Sequence, residues 1–233
     1  KNFEDNPKPH RHAKLGFLIL SLLSLTFVII GLVRLNAEYH MRNVKEARTN
    51  LNWQNVLYHI NKIDNKLYPI ASDGVPVLLH QGIAEMELGL IEEAHKSFQK
   101  SGQIQSTHLF ALNNLATTYA KLNQNDSAIY FYQSALKINP NFEDAIINLS
   151  GIYFNQGKIN DAWNLIKTVS NKSNNGNFKI FKTTIMISFF REKILKEAEN
   201  RNDLTSAIEY LDSGKFLAYS LGKWVNITET NLL

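Results

Sequence analysis

Apolar residues follow two different patterns along this chain. Residues 15–33 read LGFLILSLLSLTFVIIGLV, an uncharged run that only Ser, Thr and Gly interrupt. Residues from about 75 to 171 instead place apolar side chains at helical spacing, with polar and charged residues between them. The first pattern predicts one helix that is apolar on every side, and the second predicts a series of amphipathic helices. Together they predict an all-α protein.

The apolar run has the length and flanks of a transmembrane helix. Nineteen residues at helical rise extend about 28 Å, close to the hydrocarbon thickness of a bilayer. Lys14 and Arg34 flank the run, where they can reach lipid headgroups. A buried core helix would show a polar stripe, and this run has none. A cleaved signal peptide would have a shorter apolar core and a small-x-small cleavage site, which Leu35-Asn36-Ala37 fits poorly. We therefore expect a retained membrane helix.

The orientation of this helix stays open, because four basic residues precede it and four follow it within residues 34–48. The chain begins with Lys1 rather than methionine. We therefore expect either that some residues were removed or that this helix is the last of several in a longer protein. The side of the membrane, the oligomeric state and the partner are not determined by the sequence.

A step of 34 residues relates several positions downstream of the run. Ala94, Ala128 and Ala162 are one such series, in which every member is small. The same step relates a second series of small residues, Gly82, Ala116 and Ser150. It also relates two series of large apolar residues: Leu78, Leu112 and Ile146, and Phe98, Tyr132 and Ile166. A fixed period that keeps small and large residues in phase predicts stacked helical hairpins.

The clearest copy of the repeat runs from Leu109 to Phe142. Ala116 and Ala128 are small where its two helices should cross, so the backbones can approach closely, and Tyr132 fills the space beside them. Pro140 ends the second helix, because proline lacks a backbone donor. This pattern resembles the tetratricopeptide repeat (TPR), a 34-residue helix-turn-helix unit. The resemblance implies a solenoid of α-α hairpins that presents a surface to a protein partner.

The resulting fold class is all-α, with a single transmembrane helix followed by a TPR-like α-α hairpin solenoid and C-terminal capping helices. A degenerate first hairpin is expected after the membrane helix, with Val44 and Val56 on its two helices and about four extra residues before the next repeat. The predicted divisions are a polar basic segment 1–14, the membrane helix 15–33, a linker helix and degenerate hairpin 34–74, TPR repeats 75–171, a flexible loop 172–178 and capping helices 179–233.

The TPR resemblance implies a partner-binding concave face on the first helix of each repeat. The residues at those positions are mostly apolar, which predicts a groove for a peptide or helix, unless the C-terminal helices cover it. Chaperone-tail recognition is disfavoured, since Leu79, Ile83 and Asp144 replace the Lys, Asn and Lys that it requires, and only Asn114 matches. The predicted face comprises Leu79, Ile83, Met86, Phe110, Asn113, Thr117, Ile147 and Phe154.

The composition indicates no nucleic-acid-binding, catalytic or metal-binding function. The net charge is +4, and residues 1–14 supply half of it, so the remainder is too dilute to predict nucleic-acid binding. The absence of cysteine excludes disulfides, thiolate nucleophiles and thiolate metal sites. His10 and His12 lie in the polar N-terminal segment without further ligands. We therefore predict no catalytic residues, no metal and no cofactor.

The predicted function is a membrane-anchored TPR scaffold that mediates protein–protein interaction in a membrane-associated complex. An alternative comes from a weaker resemblance, to the C-terminal TPR tail of bacterial O-antigen ligase or polymerase-like membrane proteins. In that interpretation the chain would be the regulatory tail of a polytopic glycosyl-transferring enzyme, whose active site lies outside this chain.

Overall fold

The structure, a computed structural model, describes residues 11–169 and 178–200, together with residue 205. The chain divides into two compact units, residues 1–105 and 106–233. Apart from an isolated bridge between Ile70 and Pro76, the regular structure of the described residues is helical. The helices are α1 (Arg11–Thr49), α2 (Trp53–Ile60), α3 (Val77–Glu87) and α4 (Ile91–Ile104) in the first unit, and α5 (Leu109–Lys121), α6 (Asn125–Ile138), α7 (Glu143–Asn155), α8 (Ile159–Ile166) and α9 (Phe178–Asn200) in the second.

Helix α1 passes through two different surroundings without a break. Its apolar part, 15–33, is exposed along almost all its length and is long and apolar enough to cross a membrane. From Ala37 onward the same helix buries one stripe of side chains and packs against α2. The core of this first hairpin includes Ala37, Met41, Val44, Ala47, Val56, Ile60 and Ile63. Val44 and Val56 thus lie on two helices that share one core.

The connection between α2 and α3 is tied back to α1 through Glu38. The Tyr68 hydroxyl donates a hydrogen bond to Glu38 Oε1 (2.6 Å), and the Ser72 hydroxyl donates to Glu38 Oε2 (3.0 Å). The bond from Tyr68 lowers the pKa of the Glu38 carboxyl, although partial burial acts in the opposite direction. One residue further along, Asp73 forms an ion pair with Lys45 of α1 (2.8 Å). These bonds fix the connection against one side of α1.

The three later hairpins place a small residue of the first helix opposite a large residue of the second. Between α3 and α4 the approach is close, since a Cβ atom added to Gly82 would stand 2.6 Å from the ring of Phe98. Phe98 is fully buried, so its ring has little space to move. In α5 and α6 the equivalent residues, Ala116 and Tyr132, are buried in one cluster with Ala128. The remaining small residues that predicted the repeat, Ala94 and Ala162, are also buried, whereas Pro140 lies exposed between α6 and α7.

A second structural repeat lies in the turn between the two helices of each hairpin. Gly89, Asn123 and Gly157 stand 34 residues apart and all adopt positive φ, at 78°, 59° and 74°. Each donates its N–H to the carbonyl three residues back, and the next residue donates to the carbonyl five residues back. These paired bonds end the first helix by a left-handed cap, a conformation that glycine and asparagine adopt most readily.

Helix α9 extends the core of the second unit. Phe178, Ile185 and Met186 of α9 are buried in one cluster with Trp163 and Ile166 of α8. The Lys182 ammonium donates to the Val169 carbonyl (2.9 Å) and so fixes α9 beside the end of α8. A long helix was predicted here, and Phe178, placed in the predicted loop 172–178, is already its first residue. The rest of that loop, the capping segment beyond residue 200 apart from residue 205, and residues 1–10 lie outside the described residues.

The contact of Gly82 with Phe98 generates a stability prediction. Replacing Gly82 by Ala should destabilise the protein by about 1–3 kcal/mol, because the added methyl group overlaps a buried ring. This loss opposes the gain of about 1 kcal/mol that alanine brings to a helix interior. Urea unfolding of the purified chain in detergent measures the difference in unfolding free energy.

Gly102 of α4 is a matched control, because a Cβ atom there meets nothing within 4 Å. Gly102→Ala should therefore be neutral or mildly stabilising. Adding Phe98→Leu to Gly82→Ala should recover part of the loss, since the smaller side chain removes the overlap. Equal effects of the two glycine substitutions would show that the α3–α4 crossing is not close-packed.

Candidate partner-binding surface

The predicted partner-binding residues lie on α3, α5 and α7, the first helices of three successive hairpins. In the first unit, Ile83 and Met86 of α3 are half-buried. Leu79 is buried and retains only 3% of its surface. The expectation of an exposed Leu79 was therefore wrong, because its position on α3 faces the protein interior. Of the predicted residues on α3, Ile83 and Met86 remain partly accessible.

In the second unit, Phe110 at the start of α5 is the accessible member of the predicted set. Its side chain is 52% exposed, and its ring stands perpendicular to that of Phe142, with the centroids 5.4 Å apart. His108, the residue that caps α5, accepts a hydrogen bond from the Ala111 N–H through Nδ1. Burial lowers the pKa of His108, which favours the neutral ring that this bond requires. The capped helix end therefore presents an aromatic pair to solvent.

Asn113 and Thr117, further along α5, are turned toward the core. Asn113 is buried, in contrast to the expectation of an exposed groove residue. The Thr117 hydroxyl is half-buried and lies 2.9 Å from the hydroxyl of Tyr132. Burial raises the pKa of Tyr132 to about 12, so this phenol stays protonated at neutral pH. These two residues support the hairpin, and α5 offers a partner mainly Phe110.

On α7, the predicted residues Ile147 and Phe154 pack against the core cluster that α9 helps to form. The ring of Phe154 meets the ring of Phe181 edge to face, with the centroids 6.3 Å apart. The groove was predicted to be open unless C-terminal helices cover it, and at α7 the structure shows the covered arrangement. Both side chains are half-buried and pack against the core of the second unit.

Phe142 is the surface residue that the sequence pattern missed. It was assigned only as the last residue of a repeat copy, yet it caps α7 and forms the aromatic pair with Phe110. The available signal was the spacing of 32 residues between the two phenylalanines, just short of one period. Two phenylalanines near successive repeat boundaries can therefore contact each other.

Titratable side chains outside this surface form few clusters. In the part of the chain that the structure describes, no three His, Cys, Asp or Glu side chains converge in a metal-binding arrangement. His10 and His12 fall among the residues whose side chains are not described. The Nδ1 atoms of His40 and His59 lie 2.9 Å apart, so one ring donates and the other accepts. Burial, then the neighbouring His59 and Lys62, lowers the pKa of His40. This pair links α1 to α2.

In comparison with known proteins, residues 110–142 match the sequence model of the tetratricopeptide repeat family. No curated protein sequence matches the chain. The comparisons also lend no support to the resemblance with O-antigen ligase tails.

Solved structures of the same fold extend the resemblance beyond one repeat. A TPR protein from Parabacteroides merdae superposes with a TM-score of 0.56 at 14% identity, covering 81% of this chain and 70% of its own. The TPR protein TTC0263 from Thermus thermophilus gives 0.55 at 14% identity, covering 78% and 100%. The protein MamA gives 0.51 at 19% identity, covering 77% and 90%. The chain therefore contains one repeat that matches the tetratricopeptide repeat family, and it shares the helical-hairpin fold of these TPR proteins.

Proposed function

We propose that the chain is a membrane-anchored scaffold, in which residues 15–33 cross the bilayer and the TPR hairpins hold a protein partner close to it. TPR domains in general bind proteins and carry out no chemistry. The observation that carries the proposal is the continuity of α1 from an exposed apolar segment into the core of the first hairpin. A helix that is shared in this way would place the hairpins directly at the membrane surface.

Two features of α1 support insertion into a bilayer. Its most apolar stretch is not buried within the protein, so nothing in the described chain shields it from water. The hydroxyls of Ser21, Ser24 and Thr26 donate to carbonyls one turn earlier in the same helix. The polar groups of the run are thereby satisfied within the helix, which is what a hydrocarbon environment requires.

The anchor is tested by extraction from membranes. The full chain should stay in the pellet after an alkaline carbonate wash, whereas a chain that starts at Ala37 should be released. The free energy of transfer of an apolar stretch of this length makes spontaneous release negligible. Mass spectrometry of the pelleted protein should show that residues 15–33 are still attached. Release of the full chain, or loss of these residues by cleavage, would contradict the anchor.

The partner-binding part of the proposal centres on Phe110. Exposed aromatic side chains supply a large share of the energy at protein interfaces. Phe110 is 52% exposed, and its ring packs perpendicular to that of Phe142. The acceptor would be an apolar side chain on a helix or extended segment of the partner. In the first unit, Ile83 and Met86 of α3 are partly accessible and are separate candidates for contact with a partner.

Two alanine substitutions should separate a binding residue from a structural one. Phe110→Ala should change the unfolding free energy by less than about 0.5 kcal/mol, because the side chain is half-exposed. Phe154→Ala should cost about 2 kcal/mol or more, since it removes packing against Phe181 and the cluster around Trp163. Urea unfolding of both variants measures the difference, and a large loss for Phe110→Ala would assign it a structural role instead.

Photo-crosslinking then tests Phe110 as a contact to the partner. A benzoylphenylalanine at position 110, in cells that express the full chain, should give a discrete crosslinked protein. The same group at position 130 on α6 is the control, because Tyr130 is 63% exposed but lies on a second helix. Crosslinking at position 130 alone would place the binding surface on the second helices.

A further inference from the structure

The segment after α2 runs back along α1 toward its apolar end. Within the first hairpin, His40 of α1 lies against His59 of α2, and Asn36 of α1 donates to the carbonyl of Lys62 (3.2 Å). Residue numbers fall along α1 as they rise along the second segment, so the two run antiparallel. Beyond Lys62 the chain turns, and residues 66–72 line a cleft together with Ile29, Ile30, Val33 and Arg34 of α1.

Residues 66–72 and the end of the apolar run enclose a cleft of about 470 Å³. Glu38 holds the upper end of this cleft, because it accepts the hydroxyls of both Tyr68 and Ser72. The Ser72 N–H also donates to the Tyr68 oxygen (3.1 Å), which closes a small network. Ile29 lies nine residues before Glu38, or about 13 Å lower along the helix. The cleft therefore has a fixed wall above and extends into the predicted membrane segment below.

The walls and the rim of the cleft differ in chemistry. The walls are mainly apolar, and four of their apolar side chains are exposed: Ile29 by 50%, Ile30 by 61%, Leu67 by 65% and Ile70 by 40%. The rim carries two exposed cations, Arg34 and Lys66. Of the nearby carboxylates, Glu38 accepts the hydroxyls of Tyr68 and Ser72, and the charge of Arg34 also helps to lower its pKa. Asp64 accepts the backbone N–H groups of Lys66 and Leu67.

We propose that this cleft binds one anionic glycerophospholipid, with an acyl chain between α1 and residues 66–72 and the phosphate against Arg34 and Lys66. The inference rests on the proposed insertion of residues 15–33. Given that insertion, Val33 ends the hydrocarbon layer and Arg34 stands at headgroup depth, so apolar walls lie below two cations, as a phospholipid requires. A peptide from the aqueous phase would have to enter the hydrocarbon to reach Ile29, whereas a lipid is already there.

Native mass spectrometry of the full chain in detergent tests the site directly. Dioleoyl phosphatidylglycerol and dioleoyl phosphatidylcholine are added at equal concentration, and the protein should retain one phosphatidylglycerol in preference. The double variant Arg34→Gln, Lys66→Gln should lower the affinity for phosphatidylglycerol roughly tenfold or more, since each cation near a lipid phosphate contributes severalfold. The matched variant Lys96→Gln, Lys100→Gln removes two exposed cations from α4 and should leave the affinity unchanged.

A second pair of variants tests the apolar part of the cleft. Ile70 lines the cleft and is 40% exposed, so Ile70→Trp should fill it and reduce retention of phosphatidylglycerol. Leu90, which precedes α4, is 42% exposed, and Leu90→Trp should have no effect. Equal retention of the two lipids, or unchanged affinity in the Arg34→Gln, Lys66→Gln variant, would overturn the site.

Flotation of proteoliposomes distinguishes failure of the lipid site from failure of the membrane anchor. The original chain and the Arg34→Gln, Lys66→Gln variant should both float with vesicles of phosphatidylcholine, because insertion depends on residues 15–33. A floating protein without lipid selectivity would overturn the lipid site and leave the anchor standing. A protein that does not float would overturn both proposals.

Discussion

The continuity of α1 is the constraint on which the first unit depends. One helix of 39 residues carries an apolar surface on all sides in its first half and a single buried stripe in its second. No proline interrupts α1, so the backbone hydrogen bonds continue through Arg34. Any tilt of the membrane segment would therefore be transmitted to the hairpin formed with α2.

The ties between α1 and the α2–α3 connection follow from this arrangement. The apolar stripe in the second half of α1 needs a partner to bury it, and α2 supplies Val56 and Ile60. The connection then has to return to α3, and Glu38 and Lys45 hold it on the way through Tyr68, Ser72 and Asp73. The same bonds create the cleft beside Arg34. The proposed scaffold and the proposed lipid site would thus depend on the same side chains.

The helical hairpins could be predicted from the sequence because they depend on side chains that recur with a fixed period. Small residues at Gly82 and Ala116 recur with large ones at Phe98 and Tyr132, and the crossing of two helices requires that combination. The Glu38 ties could not be predicted in this way, since they join residues 30 and 34 positions apart through hydrogen bonds that leave no periodic trace. The partner-binding surface was also predicted less well, because repeat position determines a helix face but not what covers it. Leu79 and Phe110 fall on equivalent helices, yet one is buried and the other exposed, and Phe154 lies under α9.

Cysteine accessibility along α1 tests most directly whether this helix passes from a bilayer into a protein core. The chain has no cysteine of its own to interfere. Single cysteines from position 24 to 47, in proteoliposomes made permeable to a polar maleimide, should show two regimes. Positions 24–33 should be unreactive all round the helix, whereas beyond 34 protection should recur with helical period at 37, 41, 44 and 47, with reactivity at 35, 39 and 42 between them. A helical period of protection within 24–33, or uniform labelling there, would contradict a helix that passes from bilayer to protein core.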